Sequence, residues 1–176
     1  MNVALRIVAF AAALLSLDTA CLAAEASAVP EAKQTTLGLY LTAEEVPPFL
    51  AQRGGHSLFV DVRMPEELAS SGVATTVDAN VPLFLLSGSD SKPRPNHDFV
   101  AQVESRLAAK GLTKDDAVVV MCRTGRRSAL AASLLAGFGF PHVYSVVDGF
   151  EGDGPGAGWK SKGLPWRPIG ATALPF

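Results

Sequence analysis

Cysteine is nearly missing from this chain: two occur in 176 residues, at positions 21 and 122, beside two tyrosines, two tryptophans and three histidines. Two cysteines close at most one disulfide, so a framework of cross-links is excluded as the source of stability. His56, His97 and His142 have no ligand-like spacing, and no second cysteine stands near Cys122 to complete a zinc site, so no metal and no cofactor is expected. An excess of positive charge is also lacking. Lys and Arg number 15 against 17 Asp and Glu, a net charge of −2, which removes nucleic acid from the expected partners. No apolar run reaches the roughly 20 residues of a membrane span. There is no G-x-S-x-G stretch, no internal repeat and no heptad pattern. In "GPGAGWKS", residues 154–161, Trp159 stands where a phosphate-binding loop requires glycine before Lys160.

What is present is a foldable globular composition, 48% hydrophobic and 18% charged, behind a leader. Arg6 precedes the apolar stretch 7–17, and small residues follow in "ACLAAEASA", where Ala24-Glu25-Ala26 and Ala26-Ser27-Ala28 both fit a signal-peptidase site. This pattern predicts a secretory signal peptide over residues 1–26, cleaved near 24–28, and export to a bacterial periplasm. Lipidation of Cys21 is disfavoured by Asp18, which occupies a position where an aliphatic residue is expected. After cleavage Cys122 is the only cysteine left, in a compartment where thiols tend to be oxidised. It is either a small buried hydrophobe at a strand end or a reactive group.

Residues 27–36 read as a polar, loose linker. Thr42 with Glu45 three residues on marks a first helix start, with Pro47 and Pro48 interrupting or displacing it. "SLFVDVR" (57–63) reads as a strand and "MPEELASSG" as a helix closed by Gly72. "VDANVPLF" (77–84) is a further strand, and 87–98 a loop rich in Ser, Gly, Pro and Asp. Phe99, Val103 and Leu107 fall at helical spacing. "AVVVMC" (117–122) is the continuous apolar run of a strand buried on both faces. A helix follows, with Leu130, Leu134 and Leu135 expected in the core, and then "HVYSVV" (142–147) as a strand. The last thirty residues read as irregular, with Trp159 and Trp166 packing to close the domain. Strands alternating with helices make this an α/β domain with a mainly parallel sheet.

Ligands of such sheets bind outside the carboxyl ends of the strands, which is where the loop after Cys122 falls. A helix N-terminus there favours an anion. Arg123, Arg126 and Arg127 add cations that oppose the helix dipole unless an anion offsets them. A thiol in such surroundings ionises more readily and becomes nucleophilic.

"CRTGRRS" (122–128) resembles the active-site loop of the rhodanese family, C-R-x-G-x-R. "FVDVRMPEEL" (59–68) and "VDGFEG" (147–152) resemble two further segments of that family, in the same order and separation. The resemblance spans 37–167, with 168–176 as a C-terminal tail. It implies a rhodanese-like α/β fold, with a central, mainly parallel five-stranded sheet flanked by helices. It also implies a sulfurtransferase in which Cys122 is the catalytic nucleophile and carries sulfur as a persulfide. Arg123, Thr124, Gly125, Arg126, Arg127 and Ser128 would form the substrate-binding loop. Arg127 would take an anionic donor such as thiosulfate, and a carboxylate, Asp61 for choice, would fix Arg123. Asp61 and Arg63 would support the site as an ion pair. The acceptor would be a thiol, cyanide or a protein, and the state a monomer. The family's His-Ile-x-Gly-Ala stretch is replaced by "GVATTVDANVPL" (72–83), which leaves the subfamily open. Two other readings stand beside this one. A non-catalytic rhodanese-like binding or sulfur-carrier module is the first. A phosphatase or arsenate reductase is the second, disfavoured because those loops need an arginine six positions after the cysteine, where Ser128 stands.

Overall fold

A computed structural model describes residues 29–87 and 92–169. The expected signal peptide, Cys21 and most of the C-terminal tail lie outside the described residues. The strands are β1 (Tyr40–Leu41), β2 (Ser57–Asp61), β3 (Val73–Ala74), β4 (Ala79–Asn80), β5 (Phe84–Ser87), β6 (Lys92–Pro95), β7 (Ala117–Met121), β8 (Val143–Val146) and β9 (Trp166–Arg167). The helices are α1 (Val46–Gln52), α2 (Pro65–Ser71), α3 (Phe99–Ala109) and α4 (Arg126–Gly137).

Five strands form one parallel sheet in the order β1-β8-β7-β2-β4, as the α/β reading requires. The central pair β7 and β2 explains the unbroken apolar runs, because both of its faces are covered. Val118, Val120 and Cys122 alternate onto the side packed by Phe99, Val103 and Leu107 of α3 and by Ala131, Ala132 and Leu135 of α4. Val119 and Met121 face the other layer, with Val46, Leu68, Phe150 and Trp159. The alternation sends Cys122 toward α4, the helix that its own loop opens.

Thr42 and Glu45 form the expected cap, the Thr42 N–H donating to Glu45 Oε2 at 2.7 Å. Pro47 and Pro48 sit in the first turn of α1, where their missing N–H groups cost little. Four expectations are corrected. Leu130 and Leu134 are exposed, at 58% and 38%, because Ser128, Ala131, Ala132 and Leu135 supply the sheet-facing stripe of α4. The segment read as a loop at 87–98 contributes β6, which pairs antiparallel with β5; Pro93 and Pro95 are tolerated because each strand of a two-stranded ribbon is an edge strand. The last thirty residues, read as irregular, contain β9, which pairs with β3; Trp159 is fully buried, and Trp166 packs edge-on against Phe150 while 40% exposed. The fourth concerns the linker. From Val29 on it is docked as a strap: a short 3-10 turn, Glu31–Lys33, packs on α4, and the Thr36 N–H donates to Ser133 Oγ of α4 at 3.2 Å. No helix among the described residues is long and apolar enough to cross a membrane.

Candidate active site

β7 ends at Met121, beside Asp61 at the end of β2, so Cys122 leaves the sheet at its carboxyl edge. The chain then turns sharply. Gly125 adopts φ 93°, and a Cβ there would stand 2.0 Å from the Val147 carbonyl oxygen, so only glycine fits. The turn aims the Gly125 N–H at Cys122 Sγ, 3.2 Å away. α4 starts immediately after, and no side chain caps it. The first N–H groups of the helix and its positive dipole end thus belong to the loop.

The segment 147–152 locks the turn from the other side. Cys122 O accepts the Phe150 N–H at 2.8 Å, and Arg123 O accepts those of Glu151 and Gly152 at 2.9 and 3.2 Å. Gly149 must be glycine for the same reason as Gly125, since a Cβ there would meet Arg123 O at 2.6 Å. Cys122 is 1% exposed. Its sulfur lies 3.7 Å from Ser128 Oγ, and Ser128 in turn accepts a hydrogen bond from Ser145 Oγ at 3.0 Å.

An open cleft of about 510 Å³ lies beside the loop, lined by Met64, Glu67, Phe84, Pro93, Arg123 and Arg127. Both terminal nitrogens of Arg127 donate to Glu67, each at 2.6 Å, in a two-pronged pair. Burial pushes the Glu67 carboxyl up, but the Arg127 hydrogen bonds, the Met64 N–H and the Arg127 charge outweigh it and hold the carboxyl below its ordinary range. The Glu67 hydrogen bonds correspondingly raise Arg127.

The expected pairing of Asp61 with Arg123 does not form. Asp61 and Arg63, both 0% exposed, bind each other, Arg63 Nη2 donating to Asp61 Oδ2 at 2.7 Å. The remaining Arg63 donors reach Ser71 Oγ at 2.8 Å and Gly72 O at 2.9 Å, and its guanidinium lies 4.0 Å from the centre of the Phe150 ring. The pair is therefore closed on itself and supports the carboxyl edge from below. Arg123 and Arg126 are exposed at the loop, Thr124 is half-buried, and Ser128 points inward beneath the sulfur. Among the described residues, the carboxylate that holds a loop arginine is Glu67, and the arginine it holds is Arg127.

Sequence reasoning missed Glu67, Ser145, Lys33 and Asp148. Lys33, on the strap, is 6% exposed; it pairs with Asp153 at 2.7 Å, and its Cδ lies 3.2 Å from where a Gly125 Cβ would be. Asp148 accepts the Ala43 and Gly158 N–H groups at 2.8 and 3.2 Å. Its burial pushes its carboxyl up, against those hydrogen bonds. Glu67 and Asp148 had a visible signal, their places in the two family-like segments 59–68 and 147–152, whereas Lys33 and Ser145 carry none.

The Rhodanese-like domain model matches residues 46–153, and the chain belongs to that family. Thiosulfate sulfurtransferase 16, chloroplastic, of Arabidopsis thaliana is 31% identical over 113 residues, covering 64% of this chain and 81% of that protein. An uncharacterised protein of Rickettsia prowazekii (strain Madrid E) is 31% identical over 112 residues, covering 64% and 84%. Among solved structures, Rv0390 from M. tuberculosis superposes with a TM-score of 0.57 at 28% identity, covering 73% of this chain and 96% of that one.

Proposed function

We propose that the chain is a sulfurtransferase that moves a sulfane sulfur from a small anionic donor to a thiophilic acceptor through a persulfide on Cys122. The observation that carries the reading is the seat of the sulfur: Cys122 Sγ lies at the N-terminus of α4 with the Gly125 N–H 3.2 Å away, beside a cleft lined by two arginines. Family membership and the likeness to a thiosulfate sulfurtransferase support it.

With thiosulfate as donor, the Cys122 thiolate attacks the outer, sulfane sulfur. The sulfur–sulfur bond of thiosulfate breaks and sulfite leaves with the bonding pair. The persulfide is anionic, and the loop N–H groups stabilise its charge. An acceptor nucleophile, cyanide or a thiolate, then attacks the outer sulfur and restores the Cys122 thiolate. Dividing the transfer in two lets donor and acceptor use one site in turn. Arg123, exposed at the cleft, meets the anionic end of the donor. Arg127 faces the same cleft but is held by Glu67, so it contributes a fixed charge. The leader directs the protein to the periplasm, where it acts as a monomer.

Intact mass of the mature protein after thiosulfate treatment, without reductant, tests this. The expected result is a gain of one sulfur atom, removed by cyanide and absent in Cys122→Ser. No adduct from thiosulfate or from a protein persulfide, on a thiol shown to be free, moves the reading to a binding module.

A further inference from the structure

Two buried hydroxyls lie beneath the sulfur, one on α4 and one on β8, the strand paired with β7. Ser128 on α4 and Ser145 on β8 are both 0% exposed. Ser128 Oγ lies 3.7 Å from Cys122 Sγ, 2.9 Å from the Gly125 carbonyl oxygen and 3.3 Å from that of Val146. Ser145 Oγ donates to Ser128 Oγ at 3.0 Å. Each hydroxyl has one proton to give and two acceptor sites.

The bookkeeping of those protons differs between the two states of the sulfur. With a neutral thiol, the S–H and the Ser145 O–H both point at Ser128 Oγ, and the Ser128 proton goes to a carbonyl. With a thiolate, the S–H is gone and the sulfur itself needs donors. The Ser128 proton can turn from the Gly125 carbonyl to the sulfur, while Ser145 keeps the Ser128 oxygen supplied and polarises its O–H bond. No proton leaves Ser128; one hydrogen bond changes partner.

We infer that Ser145 is a positioning residue for the Cys122 sulfur, acting through Ser128, whose hydroxyl turns between the Gly125 carbonyl and the sulfur as the sulfur gains and loses charge. The inference rests on the reading of Cys122 as the nucleophile. The other charged groups around the sulfur are Arg123, Arg126 and Arg127 of its own loop and helix, with Glu67 of α2 on Arg127. Lys33 of the strap lies across Gly125 with its partner Asp153, and the Asp61 and Arg63 pair stands at the end of β2. None of these contacts Ser145, whose strand offers the sulfur no ionisable group, so substituting Ser145 isolates the hydroxyl.

The test is the rate of iodoacetamide alkylation of Cys122 against pH, which needs no turnover. Ser128→Ala is expected to move the midpoint of the profile upward and to slow alkylation on its acid side about tenfold, the weight of one net hydrogen bond. Ser145→Ala is expected to move it the same way by roughly threefold. The double variant should be no slower than Ser128→Ala alone, because Ser145 acts only through Ser128. A merely structural serine would lower the unfolding temperature and leave the midpoint in place. Ser145→Val, which keeps a strand-favouring side chain without a hydroxyl, repeats the measurement if the alanine variant does not fold. An unmoved midpoint, or additive effects in the double variant, overturns the inference even if thiosulfate loads Cys122. A moved midpoint with no loading sustains the inference and overturns the sulfur-transfer reading instead.

Discussion

At the scale of single residues, Glu67 loses a stabilising contact in acid. Its carboxyl is held below the ordinary glutamate value of about 4.3. A carboxyl lowered on folding contributes stability that is present above its unfolded value and lost as pH falls through its folded one. Glu67→Gln is therefore expected to cost about 1–2 kcal/mol at neutral pH, where the two-pronged bond to Arg127 is replaced by a weaker one. The difference from wild type should shrink as pH falls through the lowered folded value of Glu67, in urea titrations run across the acid range. A constant difference at every pH would remove the charge of Glu67 from the explanation. The strand end that carries Cys122 was legible in its apolar run, and the Asp61 and Arg63 pair in the likeness of "FVDVRMPEEL" to a family segment. Which of three neighbouring arginines turns to which carboxylate was not, since Arg127 meets a partner sixty residues away. Ser145 was hidden for a similar reason: nothing in "HVYSVV" distinguishes a serine facing another serine from one facing apolar neighbours.

At the scale of elements, the strap before β1 bears directly on the loop. Lys33 closes over Gly125 and brings a nearly buried cation to the outer wall of the turn. Lys33→Met is expected to slow thiosulfate loading of Cys122 by roughly three- to tenfold, and Lys33→Arg to restore most of the rate, because the charge acts through a partly dry environment. Loading followed by mass against time reads this out; equal rates in Lys33→Met and wild type would leave the strap a packing element alone. The strands β2 and β7 were readable because burial on both faces demands continuous apolar runs. The strap was not, because its buried residues are a valine and a lysine among exposed polar ones, and the lysine is buried only by virtue of Asp153. The β5 and β6 ribbon was lost for the opposite reason, as prolines and turn formers suggest a loop wherever no sheet interior forbids them.

At the scale of the whole molecule, the carboxyl edge of the sheet is assembled from distant parts of the chain. The α/β class and the place of the cysteine loop follow from the alternation of strand and helix signals, whereas the fifth strand came only with the family resemblance, because β1 is two residues long. The strand order does not, because β1 contacts the sheet only through β8, pairing Tyr40 with Ser145 and Leu41 with Val146. Removing residues 143–176 is expected to abolish cooperative unfolding, followed by near-ultraviolet circular dichroism against temperature. It strips β7 of a neighbour, leaves β1 without a partner and takes away the Phe150 and Glu151 donors that hold the cysteine turn. A sharp transition in that fragment would show that β2, β4 and β7 suffice as a nucleus. The same order has a consequence in time. On the ribosome β1 is made well before β8, and until β8 emerges it has no neighbour to receive it. During that wait the growing chain has no finished sheet and no formed cradle for its sulfur. Such a sheet closes only once β8 has been made, and the chain stays threadable until then.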